Sequence, residues 1–221
     1  MRNLSLDYMK VLLAFFIVFI HGGLFYDFDK ELSYIFVNGV FRIAVPLFFI
    51  INGYYFTVSN TNQLKKWFKK VLILYVIWTI IYLPVMFYSF DVKRVMLYSL
   101  IGYFILWYLT ALMFSGLLLY YVRHWKSSYI LSSAFFLLLI GYVIQTLGRI
   151  DFFSGFLGSL FDFGPSHRNF IFFGFSFVAI GYIIRRDNFS IDRNKNIRLI
   201  FLFSMILLLE VLLNHYIVNP L

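Results

Sequence analysis

The residues best suited to chemistry lie along one stretch, Asp7 to His21, DYMKVLLAFFIVFIH, where an acid and a base open an apolar run and an imidazole closes it. On a helix turning about 100° per residue, the eleven positions from Lys10 to His21 make three turns plus about 20°. The two side chains therefore share a face, about 16 Å apart along the axis. Asp7, three residues before Lys10, lies on the same side. Ionisable groups within a hydrocarbon-spanning helix are costly and mark function by default. His21, which titrates near neutral pH, is either a general base for a hydroxyl acceptor or a helix-end imidazole wetted by the interface. Lys10 is either a cation held within the span or one that snorkels back to the nearer headgroups.

Other candidates are scattered further along the chain. Arg42 lies beyond the first turn of the second apolar run, and its permanently charged planar guanidinium calls for an anionic ligand or a neighbouring carboxylate. In VPLFFIINGYYF (45–56), Pro46 frees backbone groups and Gly53 permits close helix approach, with Asn52 beside it; helix packing alone accounts for this pattern too. SHRN (166–169) opens a later apolar run, with Ser166 placed to cap it. His167, Arg168 and Asn169 then gather at a helix N-terminus, a natural place for an anion. Trp107 and Tyr108 are too deep in their run for an interfacial belt and are expected to pack. Glu210 is a carboxylate in the last run that can pair with a buried cation, and His215 follows it. The chain has no cysteine, and no Walker, dinucleotide-glycine, HExxH or GxSxG pattern, so thiol chemistry and several enzyme classes are excluded and no metal site is expected.

These residues must be positioned by membrane helices. Of the 221 residues, 62% are hydrophobic, 23% aromatic and only 13% charged, against about 25% charged in soluble domains. The expected fold is all-α, a polytopic transmembrane bundle. Apolar runs long enough to span occur at about 6–26, 35–57, 71–90, 96–122, 128–147, 169–185 and 197–218, seven in all. The basic segment QLKKWFKK (63–70) reads as a loop, and the connection 148–167, rich in Gly and aromatics, has room for a short interfacial helix.

Of the nineteen Lys and Arg, one side of the membrane collects Arg2, Lys65, Lys66, Lys69, Lys70, Arg123, Lys126, Arg185, Arg186, Arg193, Lys195 and Arg198, twelve in all. The other side collects five (Lys30, Lys93, Arg94, Arg149, Arg168), and Lys10 and Arg42 fall within runs. The basic side is expected to be cytoplasmic, and with it the N-terminus. The net charge of +9 is thus a topology signal, not a nucleic-acid footprint. The segment 185–198 reads as a solvated cytoplasmic loop, and no cleaved signal peptide is expected.

Taken together, LDYMKVLLAFFIVFIH (6–21), FRIAVPLFFIINGYYF (41–56), LWYLTAL (106–112) and RNFIFFGFSFVAIGYII (168–184) resemble, in order, the motifs of the acyltransferase-3 family of polytopic membrane acyltransferases. Lys10 and His21 stand where the family has a basic residue, usually Arg, some ten residues ahead of a His. The second segment is similar to a VPLFFxxSGY-like helix with Asn52 in place of Ser. The third has Ile105 where many members have His, and the fourth follows an RNxxFFGxxFxxxGY pattern.

The resemblance implies a single acyltransferase-like transmembrane domain over residues 1–221. The family usually has about ten spans, so a chain with seven is expected to be incomplete at its C-terminal end. The implied activity is transfer of an acyl group, most often acetyl, from cytoplasmic acyl-CoA, as a donor substrate and not a bound cofactor, to a hydroxyl of a cell-envelope polysaccharide or lipid-linked sugar. It would take place in a multi-pass protein of the bacterial plasma membrane. The roles that follow are His21 as base, Lys10 as donor-side cation, and Arg42 and Arg168, with Asn169, as binders of anion or acyl donor. An exporter of an anionic solute would also place Lys, Arg and His in the membrane, and a truncated non-catalytic relative would be equally short.

Overall fold

The computed structural model describes residues 4–189, 198, 203, 205 and 209–212. Among these, every regular element is helical. With no water in hydrocarbon to satisfy peptide groups, helices that bond within themselves are the natural solution for such a sequence. Five helical stretches are long and apolar enough to cross a membrane: Leu4–Gly22, Lys30–Tyr54, Thr61–Ser89, Val92–Val122 and Ser127–Arg149. This is a multi-pass membrane protein. The chain divides into two compact units, Met1–Ile51 with Arg186–Leu221, and Asn52–Arg185.

In the first unit, α1 (Leu4–Gly22) buries Leu13 against Ala44 and Ile51, with Phe16, Ile17 and Leu47 closing around them. Its outward side chains Val11, Leu12, Phe15 and Val18 stay exposed, as expected of a helix facing acyl chains. The second run is interrupted. After α2 (Lys30–Asn38), capped by the Asp29 carboxylate, the chain turns at Gly39 into a 3₁₀ turn, Val40–Ile43, before α3 (Ala44–Tyr54). A Cβ at Gly39 would stand 2.6 Å from the Ile35 carbonyl oxygen, so glycine lets the chain fold back there. Pro46 falls in the first turn of α3, where a missing N–H breaks no helical bond. It therefore frees no backbone carbonyl inside a helix.

The second unit holds α4 (Thr61–Ser89), α5 (Val92–Ile101), α6 (Trp107–Val122), α7 (Ser127–Arg149), α8 (Gly155–Asp162) and α9 (Phe175–Arg186). The basic segment 63–70 is no loop: it forms the first turns of α4. Asn60 accepts from the Gln63 amide at 2.9 Å while Gln63 Oε1 accepts from Ser59 N and Oγ, both at 2.9 Å, a reciprocal cap that starts the helix early. Leu64 and Trp67 turn inward, Trp67 lying edge-on to Phe56 at 5.2 Å, and the lysines 65, 66, 69 and 70 turn out.

The run 96–122 is likewise two helices. Gly102, at φ +99°, and a 3₁₀ turn at Phe104–Leu106 separate α5 from α6. The buried Thr110 hydroxyl lies 2.9 Å from both the Ile101 and the Trp107 carbonyl oxygens and satisfies the opened backbone. The connection after α7 does hold a short helix, α8. The sixth apolar run is a π-helical turn, Phe170–Gly174, continuous with α9. The seventh run, with His215 and most of the 185–198 loop, lies outside the described residues; Glu210 is described and is exposed.

Small residues set the spacing of the second unit. Ser115 Oγ donates to Phe170 O at 3.0 Å, and Ser176 Oγ donates to Ala134 O at 2.8 Å. A Cβ at Gly53 would overlap the carbonyl oxygen of Val178. Gly53→Ala is therefore expected to separate α3 from α9 and cost about 1–3 kcal/mol, read as a lower melting temperature of the detergent-solubilised protein. An unchanged melting temperature would show the contact to be dispensable.

Candidate functional site

The polar stripe of α1 forms as its spacing requires. Lys10 Nζ pairs with Asp7 Oδ1 at 3.4 Å, one turn apart and part-buried. His21 occupies the last turn of α1 and is exposed. The helix is held against its neighbours by aromatic contacts: Phe16 and Phe19 lie 5.0 and 5.4 Å from the ring of buried Phe41, which in turn meets Phe36 at 5.6 Å. Arg42 follows Phe41 in the 3₁₀ turn, exposed, with its guanidinium donating to Asn38 Oδ1. An amide one turn back is thus among the contacts of Arg42.

In the second unit, the turn before the π-helix is built on Asn169. Its Oδ1 accepts from Ile171 N and Phe172 N, both at 2.9 Å, and its Nδ2 donates to Pro165 O at 3.2 Å and Ser166 O at 3.1 Å. Asn169, not Ser166, is the cap. Ser166 Oγ is instead used on Leu160 O at 2.7 Å, tying the turn to α8. The Asn169 side chain is fully engaged within the protein, and the first amides of the π-helix are occupied by it. Its contribution is to fix the backbone that carries His167 and Arg168.

Those two residues border a cavity of about 270 Å³ whose polar lining also includes Gln145, Arg149 and Asp162. Packing against α7 shapes it. A Cβ at Gly148 would stand 2.5 Å from Phe161 O, and one at Gly141 would stand 2.7 Å from the Phe172 Cβ, so these glycines admit α8 and the π-turn against α7. Gln145 and Arg149, one turn apart, lie beside them on the helix and reach the cavity.

Burial first, then the Arg168 and Arg149 cations, depress the His167 pKa from 6.5 to about 4, against a smaller opposing effect of Asp162. Although Arg168 keeps an exposed surface, desolvation of its charged end, and after it the Arg149 cation, lowers its pKa. His167 Nδ1 is buried with no hydrogen-bond partner among the described residues. Gln145, Arg149 and Asp162 were not singled out in the sequence. The signal was Gly141 and Gly148, two turns apart beside a terminal Arg. No group of three or more His, Cys, Asp or Glu side chains able to hold a metal occurs among the described residues.

The fold and its intramembrane Asp–Lys pair define a polytopic helical membrane protein with a charged helix near its N-terminus. The chain belongs to the acyltransferase-3 family, whose model, described as an acyltransferase domain, matches residues 3–220. It is 30% identical over 237 aligned residues to a serine/alanine racemase of Enterococcus gallinarum, covering 95% of this chain and 33% of that protein. It is 26% identical over 232 residues to an amino-acid racemase of Enterococcus faecalis, covering 96% of this chain and 32% of that protein. The chain thus spans about a third of the length of these relatives. No solved structure matches.

An imidazole that is neutral when folded but protonates near 6.5 when unfolded lends stability that is complete above that pH and declines as pH falls toward about 4. The melting temperature is expected to drop between pH 7 and 4.5, and to drop less in His167→Gln. Equal slopes in the two proteins would remove His167 as a cause.

Proposed function

We propose that the chain is a membrane acyltransferase that moves an acetyl group from acyl-CoA to a hydroxyl of a cell-envelope glycan or lipid-linked sugar, in a bacterial plasma membrane with its N-terminus cytoplasmic. The observation that carries this reading is a family match over residues 3–220 that includes the Lys10 to His21 stripe on one helix. His21 takes the proton of the acceptor hydroxyl. The oxygen adds to the thioester carbonyl, the C–S bond breaks, and CoA leaves as a thiolate that then takes up a proton. Lys10, paired with Asp7, lies toward the donor side and faces the phosphate charge of the acyl donor. Arg42 and Arg168 are the anion binders of this reading, with Asn169 positioning Arg168.

A second reading, transport of a small solute that carries a carboxylate, is favoured by one observation. Relatives matched across nearly the whole chain are named for amino-acid racemisation, and this chain covers only a third of them. Under it, the membrane segment handles an amino acid on which another part of such a protein acts.

Full-chain proteoliposomes supplied with labelled acetyl-CoA and lipid-linked sugar test the first reading. Transfer is expected and should fall at least about 100-fold in His21→Ala. Lys10→Gln is expected to raise the KM for acetyl-CoA, and Lys10→Arg to restore it. Full transfer by His21→Ala would remove the catalytic assignment, and amino-acid flux without transfer would support the second reading.

A further inference from the structure

The geometry points to the cavity bordered by Arg149, Asp162, His167 and Arg168 as a binding site for a small zwitterion, an α-amino acid, gripped at its carboxylate by the two arginines and at its ammonium by Asp162. All of its lining belongs to the Asn52–Arg185 unit. This deepens the second reading above and rests on it for why such a solute would be present; it assigns Arg168 to that solute in place of the acyl donor, and makes no use of His21.

Size is the first constraint. Small-molecule sites commonly run from about 300 to 1,000 Å³, and about 270 Å³ is room for a small metabolite among the charged side chains. Charge is the second. Two guanidiniums, close enough that the Arg149 cation lowers the Arg168 pKa, border the same cavity and offer a carboxylate two planar forks. Planar forks on a carboxylate are among the stronger charge-assisted pairs.

The third constraint is Asp162. Among the described residues, neither its carboxylate nor the Arg168 guanidinium makes a side-chain hydrogen bond or ion pair. A carboxylate placed beside two cations disfavours a compact dianion such as phosphate and favours a ligand with an ammonium of its own. With the imidazole neutral, the four groups sum to a single positive charge, so a net-neutral ligand leaves the site cationic while a simple anion must sit against Asp162.

The orphaned nitrogen is the fourth. A buried polar atom without a partner costs free energy and calls for an explanation. His167 is one of the residues that line this cavity, and its Nδ1 is such an atom. The cavity is built and not incidental: Gly148 brings α8 and Asp162 to α7, and the saturated Asn169 cap fixes the turn that presents His167 and Arg168.

The test is binding to the purified full chain in detergent, by equilibrium dialysis of labelled L-alanine with propionate, ethylamine and inorganic phosphate as competitors. L-alanine is expected to bind saturably, with propionate and ethylamine each at least about tenfold weaker and phosphate no better. Arg168→Gln and Asp162→Asn should each weaken L-alanine roughly tenfold or more, while Asp162→Asn leaves propionate unchanged or tighter. Propionate or phosphate binding as tightly as L-alanine to the unaltered protein, a comparison that needs no variant to fold, would overturn the zwitterion assignment. Absence of L-alanine binding would overturn the site. Binding without any amino-acid flux would leave the site standing and remove the transport reading.

Discussion

Everything in this molecule answers to one constraint: a peptide group in hydrocarbon has no water to turn to. Helices satisfy it along their length, so the informative places are those where a helix stops or changes pitch. At two of the described breaks a specific group closes the gap, and a further hydroxyl braces one helix on another. Thr110 takes the carbonyl that Gly102 and the 3₁₀ turn leave open, Asn169 accepts from the first amides of the π-turn, and Ser176 donates to an α7 carbonyl. The polar residues that stand out in these spans are mostly the upkeep of irregular backbone, so a polar side chain acquires a functional reading only once its hydrogen bonds are known.

That distinction sorts the candidates. Asn169 looked like a ligand-binding amide beside Arg168, but all its bonding capacity goes to its own turn. Asn52, in the motif position where Ser is usual, donates to the Tyr108 hydroxyl at 2.9 Å and joins α3 to α6. Arg123 and Arg185 are similar: Arg123 lies 3.7 Å over the Tyr120 ring and donates to Ser59 O, and Arg185 donates to Tyr54 O. These cations clasp helix ends, so basic residues counted for topology also do structural service. Lys10 differs, because a carboxylate one turn away on the same helix is among its partners.

Much of the fold was legible because hydropathy and charge act over whole helices. The all-helical class, the first five runs and the short helix in the 148–167 connection all follow from apolar length and the distribution of Gly, Lys and Arg. What escaped was local. The basic stretch 63–70 reads as a loop by charge, yet the Asn60–Gln63 cap makes it helix, with Trp67 on one side and lysines on the other. The two interrupted runs look continuous because Gly39 and Gly102 break helices by backbone geometry, which hydropathy does not register. In the site, the α1 stripe was legible because its residues share one helix. The cavity was not, because Arg149, Asp162 and Arg168 converge from three elements whose packing depends on two glycines.

The two polar sites differ in kind, and the difference bears on how each can act. The α1 stripe is a line of separated charges on a lipid-facing helix, with a paired cation about 16 Å from an exposed imidazole. Such a line suits a reaction whose charged donor and neutral acceptor approach from opposite ends, since nothing between Lys10 and His21 on that helix is charged. The cavity instead concentrates two cations, an anion and a neutral imidazole around a small volume, which suits recognition of a compact, doubly charged molecule. Lys in place of the family's usual Arg is consistent with this division. A compact ammonium neutralises a point charge well but lacks the fork that reads a planar carboxylate, and here the forks are found at Arg149 and Arg168.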